Sequence, residues 1–203
     1  MDIYQYDESV RKRGFSQIVG IDEAGRGPLA GPVVAAAVIL KENVRISGLR
    51  DSKIVAEKER RRLYNEIRNS SLDIGIGIVE PEDIDRLNVL RATRLAMQRA
   101  VEKLCRRPDI LIIDALSLPG LSIAQLSPIK AENVSASVAA ASIVAKVTRD
   151  EIMYGYHRQY PEYNFDKHKG YSTRDHLHKI RLYGPSPIHR KTFFRVMELD
   201  LPF

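Results

Sequence analysis

The fold is decided by Ile18–Gly31, IVGIDEAGRGPLAG, where a short apolar run meets two adjacent acids and then a glycine-rich loop. The apolar run predicts a buried strand over 17–22 that ends on Asp22 and Glu23. Three glycines, an arginine and a proline follow. Main-chain N–H groups of such loops bind phosphate and sugar oxygens. The stretch therefore predicts carboxylates that stand beside a phosphate-binding loop.

The rest of the chain predicts an α/β fold with a mixed sheet of about five strands, flanked by helices. The order of the elements supports this prediction, because the strands first follow one another and then alternate with helices. The glycines of 72–79 indicate that the backbone of another element lies close to this strand. No Pro/Gly/Ser-rich linker interrupts the pattern. We expect one domain, with a core at about 15–160 and a helical C-terminal extension at about 161–203. The predicted strands are 17–22, 32–40, 72–79 and 109–114, and the longer helices are 55–69, 89–105 (capped by Asn88) and 134–158.

Composition limits the classes of protein and partner. The chain has 203 residues and a net charge of +6, which favours a polyanionic partner or reflects ordinary surface charge. No apolar run reaches the ~18 residues of a membrane helix, and the N-terminus lacks a signal-peptide core. Cys105 is the single cysteine, which excludes an internal disulfide and a Cys-based zinc site. We expect a cytoplasmic protein, no membrane partner, and Cys105 buried in a helix.

Carboxylates follow two of the predicted strands. The strand 109–114 ends on Asp114, so three acids converge if it neighbours the strand that ends on Asp22 and Glu23. Glu132 is a fourth candidate. Clustered carboxylates resist full ionisation without a cation, and oxygen-only ligands suit Mg²⁺ or Mn²⁺. Two such ions ~3.5–4 Å apart can activate water for phosphodiester hydrolysis. Acids at strand ends are also common as helix caps and surface residues, and this alternative stays open for Asp114.

A dinucleotide fingerprint is the competing interpretation of Gly25–Gly31. The segment GRGPLAG fails the G-x-G-x-x-G pattern because its third glycine comes one residue late. Pro28 lies within the segment and Pro32 follows it, and a strand is predicted to come next where the fingerprint requires a helix. The nuclease interpretation is the stronger one.

Six motifs along nearly the whole chain resemble those of the type 2 ribonucleases H, the bacterial ribonuclease HII family. They are GIDEAGRGPLAGPVVAAAV, LRDSK, LIIDAL, SASVAAASIVAKVTRDEIM, YPEYNFDKHKGYST and GPSPIHRKTF, with Lys130-Ala131-Glu132 where the family has a Lys-Gly-Asp or Lys-Ala-Asp segment. The resemblance implies an RNase H-like fold and cleavage of the RNA strand in RNA/DNA hybrids. It also implies incision 5′ to single ribonucleotides in duplex DNA, as in ribonucleotide excision repair and replication, leaving a 5′-phosphate and a 3′-hydroxyl.

The resemblance also implies roles for individual residues. Asp22, Glu23, Asp114 and Glu132 are expected to hold two Mg²⁺ or Mn²⁺ ions, with Asp22 bridging them. Glu132 is longer by one methylene than the family's aspartate. Asp150 is expected to be structural, paired with Arg149 or Lys146. The expected substrate contacts are Gly25, Arg26, Gly27, Lys53, Lys146, Lys169 and Tyr171.

Three further expectations complete the interpretation. The chain end ELDLPF resembles sliding-clamp-binding peptides, although an amphipathic end packed on the core is an equal alternative. A monomer is expected. His157, His168, His176 and His178 are expected to lie on helix surfaces or contact the backbone, not to bind metal. Another RNase H-like nuclease and a non-catalytic hybrid-binding protein remain as alternative functions.

Overall fold

A mixed five-stranded sheet lies at the centre of the computed structural model, which describes residues 2–50, 52 and 55–198. Its strands are β1 (Ile18–Ala24), β2 (Val33–Leu40), β3 (Ser71–Val79), β4 (Ile110–Ile113) and β5 (Ala124–Leu126). They lie in the order β3-β2-β1-β4-β5. The β1–β2 and β2–β3 pairs are antiparallel, whereas β1–β4 and β4–β5 are parallel. The predicted α/β fold with a mixed sheet is confirmed.

Eight α-helices are described. They are α1 (Ile3–Arg11), α2 (Glu57–Ser70), α3 (Pro81–Leu87), α4 (Val89–Glu102), α5 (Ala136–Gln159), α6 (Phe165–His168), α7 (Arg174–Tyr183) and α8 (Phe194–Met197). The sequence did not predict α1, whose buried residues are only Asp7 and Val10. Nor did it predict β5, which has three residues and no apolar run. In these described residues no helix is long and apolar enough to span a membrane.

The sheet is covered on both faces. Helix α4 packs on one face, against the odd-numbered residues of β2, and α5 and α2 pack on the other face, against the even-numbered residues. All of β2 is therefore buried. This burial explains why its sequence is one continuous apolar run without alternation.

Glycines allow the helices to approach the strands closely. A Cβ at Gly20 of β1 would lie 2.0 Å from the carbonyl carbon of Ser137 in α5. On β3, a Cβ at Gly75 or Gly77 would lie 1.9 Å from a carbonyl oxygen of α4. The predicted close neighbours of the glycines in β3 are the backbone of α4.

Side chains before the helices fix where α4 and α5 begin. Asn88, predicted as a cap, accepts hydrogen bonds from the N–H groups of the first turn of α4. Ser135 caps the N-terminus of α5, and its hydroxyl donates to Asp7 Oδ1 at 2.6 Å. The other Asp7 oxygen accepts from the N–H and the hydroxyl of Ser137 at 2.9 and 2.7 Å. A carboxylate is favourable at a helix N-terminus, so Asp7 attaches α1 to the start of α5.

The prediction for Cys105 is wrong. Helix α4 ends at Glu102, and Cys105 lies exposed in the loop that follows. The chain turns away there because the N–H of Arg106 donates to Asp73 Oδ2 on β3, at 2.8 Å.

Candidate functional site

The candidate site begins with the parallel pairing of β1 and β4. Ile21 pairs with Ile113, so the residues that come next, Asp22 and Asp114, leave two neighbouring strands at the same edge. Carboxyl ends of parallel strands are where sites gather in α/β sheets. Strand β1 continues through Glu23 to Ala24, beyond its predicted end, so Asp22 and Glu23 point to opposite faces of the strand.

A cavity of about 380 Å³ opens at this edge. It brings together three acids, the glycine-rich loop, a lysine and a tyrosine, all of which were predicted as site residues from the sequence. Ser52 and Ala24, which were not selected, also contribute. The lining residues are Asp22, Glu23, Ala24, Gly25, Arg26, Gly27, Ser52, Asp114, Lys146 and Tyr171.

Asp22 and Glu23 are held by their immediate neighbours. Asp22 is 6% exposed, and its Oδ1 accepts from the N–H of Glu23 at 2.8 Å. Glu23 Oε1 lies 3.3 Å from Nη1 of Arg26. The side chain of Arg26 is about half exposed, so this ion pair is a weak restraint. Arg26 therefore remains available to an incoming anion.

Asp114 connects the cavity to the fourth acid. Its Oδ1 accepts from the N–H of Ala131 at 2.8 Å. Ala131 begins the 3₁₀ turn Ala131–Asn133, which carries Glu132. Glu132 is 5% exposed and does not line the cavity itself. This hydrogen bond therefore attaches the turn that carries Glu132 to Asp114, one of the three cavity acids.

The glycine-rich loop has a conformation that requires glycine. Gly25 has a φ of +101°, and a Cβ there would lie 2.3 Å from Nε of Arg149. A Cβ at Gly27 would lie 4.0 Å from the ring of Tyr171. Within the described residues, the N–H groups of Arg26 and Gly27 donate no hydrogen bond. The loop therefore offers two main-chain donors beside an aromatic ring.

Tyr171 and Lys146 line the cavity together. The ring of Tyr171 is 44% exposed, and its centroid lies 5.9 Å from Nζ of Lys146. The ammonium group bonds Oδ1 of Asp150 at 2.6 Å, which confirms the structural pairing expected for Asp150. Burial lowers the pKa of Lys146, although the bond to Asp150 opposes this. Lys146 thus brings a fixed cation to the cavity.

Comparison with known proteins identifies the family. The family model described as Ribonuclease HII matches residues 19–196. This chain belongs to the ribonuclease HII family. The ribonuclease HII of Bacillus pumilus is 54% identical over 192 residues, covering 95% of this chain and 75% of the relative. That of Clostridioides difficile is 52% identical over 183 residues, covering 90% and 72%. The chain is therefore a ribonuclease H, an endoribonuclease of RNA/DNA hybrids.

Solved structures share the fold. The ribonuclease H2 of Pyrococcus horikoshii superposes with a TM-score of 0.77 at 26% identity, covering 91% of this chain and 97% of that one. A PCNA:RNase HII complex from Archaeoglobus fulgidus gives 0.73 at 22% identity, covering 88% and 95%. Bst-RNase HIII in complex with Mn²⁺ gives 0.67 at 20% identity, covering 90% and 68%. The last two likenesses concern the fold alone.

Of two further predicted phosphate contacts, Lys169 does not line the cavity and Lys53 cannot be placed relative to it. Lys169 is buried, its ammonium donates to the carbonyl of Asp166, and it lies 4.2 Å from the ring centroid of Tyr154. Lys53 lies outside the described residues. Phosphate binding by these two lysines stays a prediction.

The histidines contact the backbone and one another. His168 and His176 are buried, and their rings bond the carbonyls of Tyr163 and Tyr171 at 2.7 and 2.9 Å. His189, which the sequence did not single out, bonds His176 at 3.0 Å. His157, 3.3 Å from Asp166, is partly exposed, and His178 is exposed.

Among residues 2–50, 52 and 55–198, no three His, Cys, Asp or Glu side chains are arranged to hold a metal ion as they stand. The parallel pairing of β1 and β4 still brings Asp22 and Asp114 to the same edge of the sheet, because they follow the paired residues Ile21 and Ile113.

Sequence reasoning missed two buried arginines next to the site. Arg149 and Arg190 are both 0% exposed. Charged residues are almost never fully buried without partners. Their positions in the sequence could have indicated a special role. Arg149 interrupts the small, apolar sequence of α5, and Arg190 lies inside the motif GPSPIHRKTF.

Proposed function

We propose that the cavity is the active site of an endoribonuclease that also incises 5′ to single ribonucleotides in duplex DNA, leaving a 5′-phosphate and a 3′-hydroxyl. One observation carries the proposal: three carboxylates and the loop Gly25–Gly27 line the same cavity of about 380 Å³. The acids suit phosphodiester hydrolysis. The loop suits recognition of the sugar, whose 2′-OH distinguishes RNA from DNA.

The donor set fits divalent cations. Asp22, Glu23 and Asp114 line the cavity, and the N–H of Ala131, the residue before Glu132, donates to Asp114. Burial of charged carboxylates is unfavourable unless they are paired or bind metal. We propose that these four acids hold two Mg²⁺ or Mn²⁺ ions. Bound there, the ions would acidify a water molecule and stabilise the negative charge on the departing 3′-oxygen.

Residues of the loop would bind the nucleotide. The N–H groups of Arg26 and Gly27 donate no bond within the described residues, so they are available to the 2′-OH and to the scissile phosphate. The ring of Tyr171 lies against Gly27 and would pack on the sugar at the RNA–DNA junction. The side chain of Arg26 and the ammonium of Lys146 supply positive charge for the phosphate.

The test is cleavage of a labelled DNA duplex that carries one ribonucleotide, beside an all-DNA duplex, with Mg²⁺, Mn²⁺ or EDTA. We expect a metal-dependent cut 5′ to the ribonucleotide and an intact DNA control. Asp114→Asn should abolish turnover and leave duplex binding largely intact. Asp109→Asn is a matched control, because Asp109 precedes the same strand at its opposite end and bonds Ser16 and Gln17. Normal turnover by Asp114→Asn would contradict the assignment.

Partner and organisation are proposals as well. We propose a cytoplasmic monomer of one domain in which elements after about 160 form an extension of the core. We also propose that the chain end ELDLPF binds a bacterial sliding clamp; it begins at Glu198, and residues 199–203 lie outside the described residues. The Archaeoglobus complex, by its description, pairs a ribonuclease HII with PCNA.

A peptide of the last fourteen residues tests the clamp interaction. It should bind the clamp in a fluorescence polarisation titration, and the same peptide with Phe203→Ala should bind more weakly. No binding at ~100 μM, about −5.5 kcal/mol, would contradict it.

A further inference from the structure

Two buried guanidinium groups lie directly behind the glycine-rich loop. Arg149 comes from α5 and Arg190 from the segment between α7 and α8. Burial lowers the pKa of Arg149 to about 10 and that of Arg190 to about 9, so both remain cations at neutral pH. Within the described residues, every hydrogen bond that these groups donate goes to a main-chain carbonyl, and neither forms an ion pair.

Arg190 contacts the loop at three carbonyls. Its Nη2 donates to Gly25 O at 2.6 Å and its Nη1 to Arg26 O at 3.0 Å. Its Nε and Nη2 donate to Gly31 O at 3.0 and 2.8 Å. A planar guanidinium presents its donors in a fixed fork, so these bonds determine the orientation of the peptide groups.

Arg149 bonds two carbonyls further along the same segment. Its Nε and Nη2 donate to Pro32 O and Ala30 O, each at 3.0 Å. Its Nη1 donates to Lys169 O, also at 3.0 Å, two residues before Tyr171. One side chain therefore ties the loop to the segment that carries the tyrosine.

The orientation of the carbonyls determines the orientation of the free amides. A trans peptide is planar, so its C=O and the following N–H point in opposite directions. No cis peptide bond occurs in the described residues. By bonding the carbonyls of Gly25 and Arg26, Arg190 directs the N–H groups of Arg26 and Gly27 away from itself. These are the two amides that donate nothing within the described residues.

We propose that Arg190, supported by Arg149, is a positioning residue for ribose recognition: it orients the Arg26 and Gly27 amides toward the nucleotide. This inference rests on the function proposed for the loop. The charge of Arg190 also polarises the peptide groups it bonds, which makes their N–H groups stronger donors. A lysine at position 190 would retain the positive charge but lose the fork of donors. The effect of the charge can therefore be separated from the effect of the hydrogen-bond geometry.

The experiment compares Arg190→Lys and Arg190→Met with the wild type, below the lowest melting temperature. Two quantities are measured: kcat/KM on a duplex with one ribonucleotide, and Kd for an all-DNA duplex. We expect kcat/KM to fall at least tenfold for Arg190→Lys and further for Arg190→Met, with Kd for DNA within twofold of wild type. Leu63→Ala, a buried change in α2, which contributes no residue to the cavity, controls for lost stability and should retain wild-type kcat/KM.

The possible results separate the inference from the proposed function. A wild type that does not cut the ribonucleotide duplex refutes the proposed function itself. A wild type that cuts, with both variants within twofold of it, refutes the role of Arg190 alone. Parallel losses of cleavage and DNA binding would show a general structural role and also overturn it. If Arg190→Met does not fold, Arg190→Lys decides, with Arg149→Lys as the second test of the same loop.

Discussion

Two histidines buried in neutral form should make this protein less stable in mild acid. His176 Nδ1 lies 2.9 Å from Tyr171 O, so this nitrogen donates and Nε2 accepts from His189 at 3.0 Å. His189 Nδ1 then accepts from the N–H of Ser186 at 2.8 Å. The tautomer of each histidine ring is assigned from this hydrogen-bond network. A second proton on either ring would place two donors against each other.

The pKa shifts give the direction and the size of the effect. Burial, reinforced by neighbouring histidines, lowers the pKa of His176 to about 3, and burial lowers that of His189 to about 4. An unfolded chain titrates these groups near 6.5, so between pH 6.5 and 4 the unfolded state binds more protons. The free energy of unfolding therefore falls as the pH drops through this window. From pH 7 to pH 5 the loss is ~2 kcal/mol for each histidine. His168, whose pKa burial also lowers, acts in the same direction.

Urea unfolding at pH 7 and pH 5 measures this loss in the wild type and in His176→Asn, which no longer titrates at that position. The wild type should lose ~2 kcal/mol more than the variant between the two pH values. His178→Asn is the matched control, because His178 lies exposed on the same helix and should keep the wild-type pH dependence. Equal losses in the wild type and His176→Asn would refute the argument.

Three further predictions concern single contacts. Asp7→Asn should lower the free energy of unfolding by ~1–3 kcal/mol in urea titrations, because the bonds to Ser135 and Ser137 lose their charged acceptor. Gly77→Ala should cost ~1–3 kcal/mol in the same assay, because its Cβ would lie 1.9 Å from the carbonyl of Ala96. Tyr171→Ala should reduce kcat/KM on a single-ribonucleotide duplex about tenfold through lost ring contact, whereas Tyr171→Phe should retain most of it.

Local sequence patterns predicted a structural element correctly where neighbouring residues alone determine that element. The apolar runs predicted β1, β2 and β3, and Asn88 predicted the start of α4. The family, too, follows from motifs of contiguous residues. Short or weakly apolar elements carry no such signal: β5 has three residues, and α1 is anchored by Asp7, a carboxylate that only its distant partners explain.

By itself the sequence determined that acids stand at the ends of two strands, that a glycine-rich loop comes directly after one of them, and that the chain is a ribonuclease H. Only the tertiary structure decided which side chains meet. It placed Asp22, Asp114 and Tyr171 around one cavity, excluded the buried ammonium of Lys169 from it, and exposed Cys105. It also brought Arg190 to a loop more than 150 residues earlier in the chain. Such contacts depend on how the sheet and the C-terminal elements pack, and packing joins residues without regard to their separation in sequence.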